Sequence, residues 1–162
     1  MRKYIISFVE IFNKSIAIIC IIAITVSLAT VLSQVFVRYV LRLGFPWVEE
    51  VTNYMLVVIA MFGACLNLYE NNDINLRLII DRFNPKLKNI INLFTYLFIL
   101  LFLAFLIKYG YAFSLQGLKR DSITLGIKIY IPFLIIPVGG ATITINVMYK
   151  IYSNLYKYLK HK

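Results

Sequence analysis

The stretch Ser15–Val37, SIAIICIIAITVSLATVLSQVFV, decides the fold because it contains no acidic or basic side chain. Three further runs share this property: Val51–Tyr69, Ile90–Ile107 and Ile129–Tyr149. Each run has about the 17 to 25 residues that an α-helix needs to cross a hydrocarbon layer of about 30 Å. The sequence therefore predicts an all-α integral membrane protein with four transmembrane helices, spanning about 15–37, 51–69, 90–107 and 129–149.

The composition excludes an ordinary soluble domain. Hydrophobic residues make up 61% of the chain, and the mean hydropathy is +0.82. Soluble domains have a lower apolar content and more charge. Four spans joined by short loops leave no room for a separate soluble domain, so residues 1–162 are predicted to form a single membrane domain.

The basic residues predict both lipid contact and orientation. The net charge is +10, from 17 Lys and Arg against 7 Asp and Glu, and the basic residues lie at the ends of the apolar runs. Such placement favours phospholipid headgroups as a partner, with no nucleic acid. Eleven of these 17 residues lie in the two termini and the second loop. The positive-inside rule then places both termini in the cytoplasm, an N-in/C-in topology.

Three segments show apolar residues at helical spacing and predict short amphipathic surface helices. They are Ile5–Phe12, about 74–84, and Tyr152–Leu159. The middle segment is the clearest, because Asn and Asp residues precede it and Pro85 follows it. Such helices can lie flat at the headgroups or form a docking surface for a partner subunit.

Small residues predict where the spans pack. Helices in lipid associate by close packing and hydrogen bonds, so glycine marks sites of close approach. Gly63 and Gly139 are therefore predicted helix-packing positions, together with Pro137, which removes a backbone donor and predicts a bend. The third span is mostly Leu, Ile and Phe. It suits lipid contact or a broad apolar partner surface.

A charged hinge joins the first two spans. Arg38 follows span one, while Trp47, Glu49 and Glu50 precede span two. Adjacent residues on a helix point about 100° apart, so the two acids converge poorly on one metal ion or one reacting atom. We predict that these four residues form a structural hinge or a partner contact, with Arg38 paired to one of the acids or to a charge on the partner.

The spans predict no catalytic, cofactor-binding or metal site. No acid or base lies inside them, and Cys20 and Cys65 have no nearby ligand partner, which favours buried thiols. An enzyme is disfavoured because no nucleophile–base pair is visible. A small multidrug-type exporter is disfavoured because proton coupling needs an acid in span one.

Four motifs, in this order, resemble those of a known family. They are Phe36-Val-Arg38-Tyr39, Trp47-Val-Glu49-Glu50, Met61-Phe-Gly63-Ala64 and Ile136-Pro137-Val-Gly139. The stretch Ser122–Ile127 before span four is also similar. The family is the small membrane subunit, DctQ-like or Q subunit, of tripartite ATP-independent periplasmic (TRAP) transporters. The chain departs from the family pattern at Asp73 or Asn75, where a histidine is expected, and at Lys128, where a proline is frequent.

The resemblance implies a supporting function, in which the substrate and sodium sites lie on the large subunit and not on this chain. It implies a scaffold subunit of a sodium-driven, binding-protein-dependent symporter in the bacterial inner membrane. The partners would be a large many-span membrane subunit, which holds the sodium ions, and an extracytoplasmic binding protein that delivers an organic acid such as sialic acid or a C4-dicarboxylate. The alternative is a structural or assembly subunit of another membrane complex.

Overall fold

The computed structural model describes residues 2–70 and 85–160, and it describes side chains at Tyr4, 6–70 and 91–153. It is 88% helical and contains no β-strand among the described residues. The elements are α1 (Arg2–Phe36), a π-helical turn (Val37–Leu41), α2 (Pro46–Glu70), α3 (Pro85–Gln116), a 3₁₀ turn (Gly117–Lys119), α4 (Tyr130–Phe133) and α5 (Ile135–Lys160).

The four predicted transmembrane helices are confirmed as α1, α2, α3 and α5. Each is long and apolar enough to cross a membrane. The helices extend beyond the charge-free runs, because charged residues at a span's end do not stop a helix. Helix α3 begins at Pro85, since proline suits the first helical position, where its missing N–H leaves no bond unmade.

The long helices form a row in the order α1, α2, α5, α3. Helix α1 packs along α2, α2 along α5, and α5 along α3, and within the described residues no other pair of long helices packs at length. The long helices therefore pack in series along their lengths, although Asn13 of α1 also bonds Asn146 of α5 directly. This arrangement differs from a closed four-helix bundle, where each helix packs along two neighbours.

One face of α1 explains its place in the row. Its buried residues are spaced by three or four positions, as one helical face requires: Val9, Asn13, Ile16, Cys20 and Ala23. The central cluster of buried side chains combines Ile16 and Cys20 of α1 with Cys65 of α2, Leu103 of α3, and Ile143 and Val147 of α5. Beyond Ala23 this face is only half-buried, so α1 is held mainly through its first half.

Two adjacent glycines place α5 between its neighbours. A Cβ added at Gly139 would lie 2.6 Å from Met61 Cβ on α2. A Cβ added at Gly140 would lie 2.9 Å from Ile107 Cγ1 on α3. Because consecutive helical residues point in different directions, the pair lets both neighbouring helices approach α5 closely.

The structure tests two of the three predicted surface helices. Segment 74–84 lies outside the described residues. Ile5–Phe12 is the beginning of α1, and 152–159 is the end of α5. Neither is a separate helix, because no glycine or proline interrupts the chain between each segment and its span.

The predicted bend at Pro137 corresponds to a break at Leu134, which separates α4 from α5. Proline lacks an N–H and its ring crowds the carbonyl four residues earlier, at Phe133. The helix therefore breaks next to that carbonyl, three residues before the proline itself. Pro137 is buried.

Candidate functional site

The carboxylate of Glu50 links the start of α2 to the loop that follows α3. Its Oε2 atom accepts hydrogen bonds from the Ser122 and Thr124 hydroxyl groups. We call these three residues the Glu50 clasp. Ser122 is 4% exposed, so the carboxylate reaches a largely covered hydroxyl. Hydrogen bonds to an ionised acceptor are stronger than neutral ones, and the clasp ties together two segments that are 72 residues apart.

The loop that supplies the two hydroxyls is itself ordered by hydrogen bonds. Ser122 N donates to Ile127 O at 2.8 Å, and Leu125 N donates to Ser122 Oγ at 3.0 Å. Gly126 has a φ of +65°, a left-handed conformation that glycine adopts without steric cost. The turn exposes Ile123 almost fully, at 96%.

An ion pair closes the base of this loop. Lys128 Nζ lies 2.7 Å from Asp121 Oδ1, and the same two residues form an isolated antiparallel bridge. Both side chains are more than half exposed, so the pair adds little to stability by itself. It does bring the two ends of the loop together.

The other hinge residues lie around the clasp without joining it. Trp47 and Glu49 are exposed, as is Arg38 within the π-helical turn. Across the described part of the chain, Arg38 forms no ion pair with Glu49 or Glu50. Glu50 instead bonds the two hydroxyls, so any contact of Arg38 with a charged group of a partner remains a prediction.

A buried polar cluster lies toward the other end of the long helices, away from the Glu50 clasp. The side-chain amides of Asn13 and Asn146 bond each other reciprocally, at 2.9 Å and 2.7 Å. Asn146 Nδ2 also approaches the Cys65 backbone carbonyl, at 3.1 Å, and Asn13 Nδ2 donates to Val9 O at 2.8 Å. We call Asn13, Cys65 and Asn146 the amide network. It joins α1, α2 and α5 at one point, and its members are at most 2% exposed.

Comparison with known families decides the identity. The sequence model of the DctQ component of tripartite ATP-independent periplasmic transporters matches residues 27–156. The chain belongs to this family. It is therefore the small subunit of a TRAP transporter and a multi-pass membrane protein. A search of curated proteins found no match to the chain.

The matched region contains both the Glu50 clasp and two members of the amide network, while Asn13 precedes it. Sequence reasoning missed Asn13 because Lys14 follows it, which placed it outside span one. A signal was present, since Asn13 is the one polar residue on the otherwise apolar face of Val9, Ile16, Cys20 and Ala23. A polar residue on such a face predicts a buried hydrogen bond.

The predicted packing positions of this DctQ subunit have different surroundings. Gly139 is buried against Met61, as described above. A Cβ at Gly63 would have no atom of the described chain within 4 Å. Within the described part of the subunit, no neighbouring helix therefore makes use of the small size of Gly63.

The chemistry of these residues is that of structural hydrogen bonding. The amide network consists of neutral groups that bond one another, and the clasp pairs one carboxylate with two hydroxyls. Among the described residues, no three His, Cys, Asp or Glu side chains come together as metal ligands would. The Glu50 clasp and the amide network hold helices and loops in place near opposite ends of the long helices.

Proposed function

We propose that this DctQ subunit is the static scaffold of a sodium-driven TRAP transporter in the bacterial inner membrane. It supports a large elevator-type subunit, and that subunit holds the sodium ions. An extracytoplasmic binding protein delivers the substrate, an organic acid such as sialic acid or a C4-dicarboxylate. The observation that carries the proposal is the row of four helices, whose buried amides bond one another.

A conduit requires polar or ionisable groups that face a substrate path within the membrane. In this subunit the buried amides of Asn13 and Asn146 satisfy each other, which leaves them unsuited to exchanging partners with a passing substrate. Within the described residues the long helices also pack in series and form no closed ring around a central path. Both features support a wall against which a mobile subunit slides.

The orientation in this proposal places both termini in the cytoplasm and the Glu50 clasp outside. The loop with Ile123 then faces the compartment of the binding protein. A cysteine at Ile123, in a background lacking Cys20 and Cys65, should react with an impermeant thiol reagent in intact cells. A cysteine at Asn72 should react only after lysis. Labelling of position 72 in intact cells would show that the orientation is the opposite of the one proposed.

Uptake into liposomes tests the function. Liposomes with this chain alone should accumulate no organic acid under a sodium gradient. Liposomes with both membrane subunits should do so only when the binding protein is added. Ion-driven accumulation by the small subunit alone would overturn the scaffold proposal. Co-purification of the wild-type chain with the large subunit is a separate readout, and its absence would remove the assignment of that partner.

A further inference from the structure

One face of α2 is left uncovered by the rest of the described chain. Between Glu49 and Asn67, six residues of α2 are exposed, and all the remaining ones are buried or half-buried. The exposed residues are spaced by three or four positions and so form one line along the helix. We call this line the α2 stripe: Glu49, Asn53, Leu56, Ala60, Ala64 and Asn67.

The α2 stripe combines small residues with two amides, one near each end of the charge-free run 51–69. Asn53 and Asn67 place two amide side chains on the exposed side of a membrane-spanning helix. Ala60 and Ala64 lie between them, and beside them the space where a Gly63 Cβ would be is open. Polar side chains that face hydrocarbon are costly, whereas small residues and amides are what helix–helix contacts in membranes use.

The exposed face of α3 differs from the α2 stripe and has the composition that a lipid-facing surface would have. Its exposed residues in the span are large and apolar with one exception, Ala104: Leu93, Phe94, Leu97, Phe98, Leu101, Phe102 and Phe105. No amide interrupts this face in the described span. The two exposed surfaces of one protein therefore differ in kind, although both lie on membrane-spanning helices.

We propose that the α2 stripe is the surface that receives a transmembrane helix of the large membrane subunit. This inference rests on the proposed function. The partner helix carries small residues opposite Ala60 and Ala64 and hydrogen-bonding side chains at the depths of Asn53 and Asn67. Opposite Glu49 it carries a basic residue, because the carboxylate lies exposed at the end of the line.

A second copy of this chain fits the stripe less well. Two copies that share one orientation in the membrane are related by a two-fold axis along the membrane normal, so each residue faces its own equivalent. Glu49 of one copy would then face Glu49 of the other. Like charges in contact disfavour the pair, whereas a basic partner residue complements the acid.

Crosslinking in the assembled transporter tests the proposal. A benzoylphenylalanine replaces Leu56 on the stripe or, as a matched control, Leu101 on α3; their exposures are 61% and 56%. Irradiation should join position 56 to the large subunit and leave position 101 joined to lipid alone. A crosslink to the large subunit from 101 and none from 56 would place the interface elsewhere. A homodimer crosslinked at 56 would assign the stripe to a second copy.

A pair of substitutions measures the contact. Ala60→Phe should reduce the yield of large subunit recovered with the tagged chain about tenfold, while Ala104→Phe should leave it unchanged. Thermal unfolding of each variant alone checks its fold, and if Ala60→Phe fails to fold, the crosslinks at 56 and 101 decide. Equal recovery with both folded variants would overturn the proposal. Failure of the wild-type chain to recover any large subunit would instead contradict the proposed function.

Discussion

Helices α5 and α3 are neighbours of similar hydropathy, yet the protein uses them in opposite ways. In the most apolar 18-residue window of each helix, 39% of α5 is buried within the protein, compared with 6% of α3. Helix α5 carries Gly139, Gly140, Thr142, Thr144 and Asn146, whereas α3 presents leucines and phenylalanines. In a bilayer, apolar side chains gain little by leaving lipid for protein, so small and polar residues mark the helix that is covered.

The largest effect that this comparison predicts is at Gly139. A leucine there would bring new side-chain atoms onto Met61, whose Cβ already lies 2.6 Å from the position of an added Cβ. Overpacking of this kind costs about 1–3 kcal/mol of unfolding free energy. Unfolding of the purified subunit in detergent measures the loss. The control is Gly63→Leu, which enters open space, and equal losses would show that α5 is not held by close packing against α2.

A smaller effect is expected from the amide network. Asn146→Leu leaves the Asn13 carbonyl oxygen without the bond it accepts at 2.7 Å. A double-mutant cycle with Asn13→Leu should give a coupling of about 0.6 kcal/mol and no more than about 1.7 kcal/mol, the average and the maximum for polar contacts between membrane helices. Unfolding of the two single variants and the double variant supplies the cycle. Strict additivity would mean that the two amides do not stabilise each other.

The connection between α3 and α5 should depend on the charge of Glu50. Glu50→Gln keeps the size of the side chain but replaces charge-assisted hydrogen bonds with weaker neutral ones. We expect faster proteolysis of the loop around Ile123 and a lower melting temperature. Ser122→Ala should add little further loss to Glu50→Gln, because both remove the same contact. The neighbouring Glu49→Gln is the matched control, and the same response from both acids would argue against the clasp.

The smallest effect is expected on the exposed face of α3. Phe98 is 74% exposed, so Phe98→Leu exchanges one lipid-facing apolar side chain for another. The unfolding free energy should change by no more than about 0.5 kcal/mol, as for other surface substitutions. Measurement in lipid nanodiscs keeps the natural surroundings of this face. A loss as large as that of Gly139→Leu would break the distinction between the two helices.

The sequence predicts the spans of this subunit better than their arrangement. Interior charge is excluded from lipid, so the four charge-free runs identify the helices directly. The row order could not be read in the same way, because an isoleucine on α3 and an isoleucine on α5 have the same hydropathy whatever they face. Gly139 was predicted as a packing position from its size alone, but only the structure identifies Met61 as its neighbour.

The Glu50 clasp shows a second limit. The motif Trp47-Val-Glu49-Glu50 predicted charges at the start of a helix, and Arg38, which follows the preceding span, was the predicted partner. The partners are Ser122 and Thr124, which lie 72 and 74 residues further along the chain. Contacts across such separations depend on which helices are neighbours, so they follow from the row and not from local pattern.

The order of helices in the row has a consequence for how the chain is made. Synthesis produces α1, α2, α3 and then α5, but α5 lies between α2 and α3. The α1–α2 hairpin can pair as soon as both helices leave the translocon. Helix α3 then enters the membrane without its neighbour and waits in lipid, for which its Leu- and Phe-rich face is suited. Helix α5, which is translated after α3, completes the row, so a ribosome that stops before Tyr130 releases a hairpin and one solitary span.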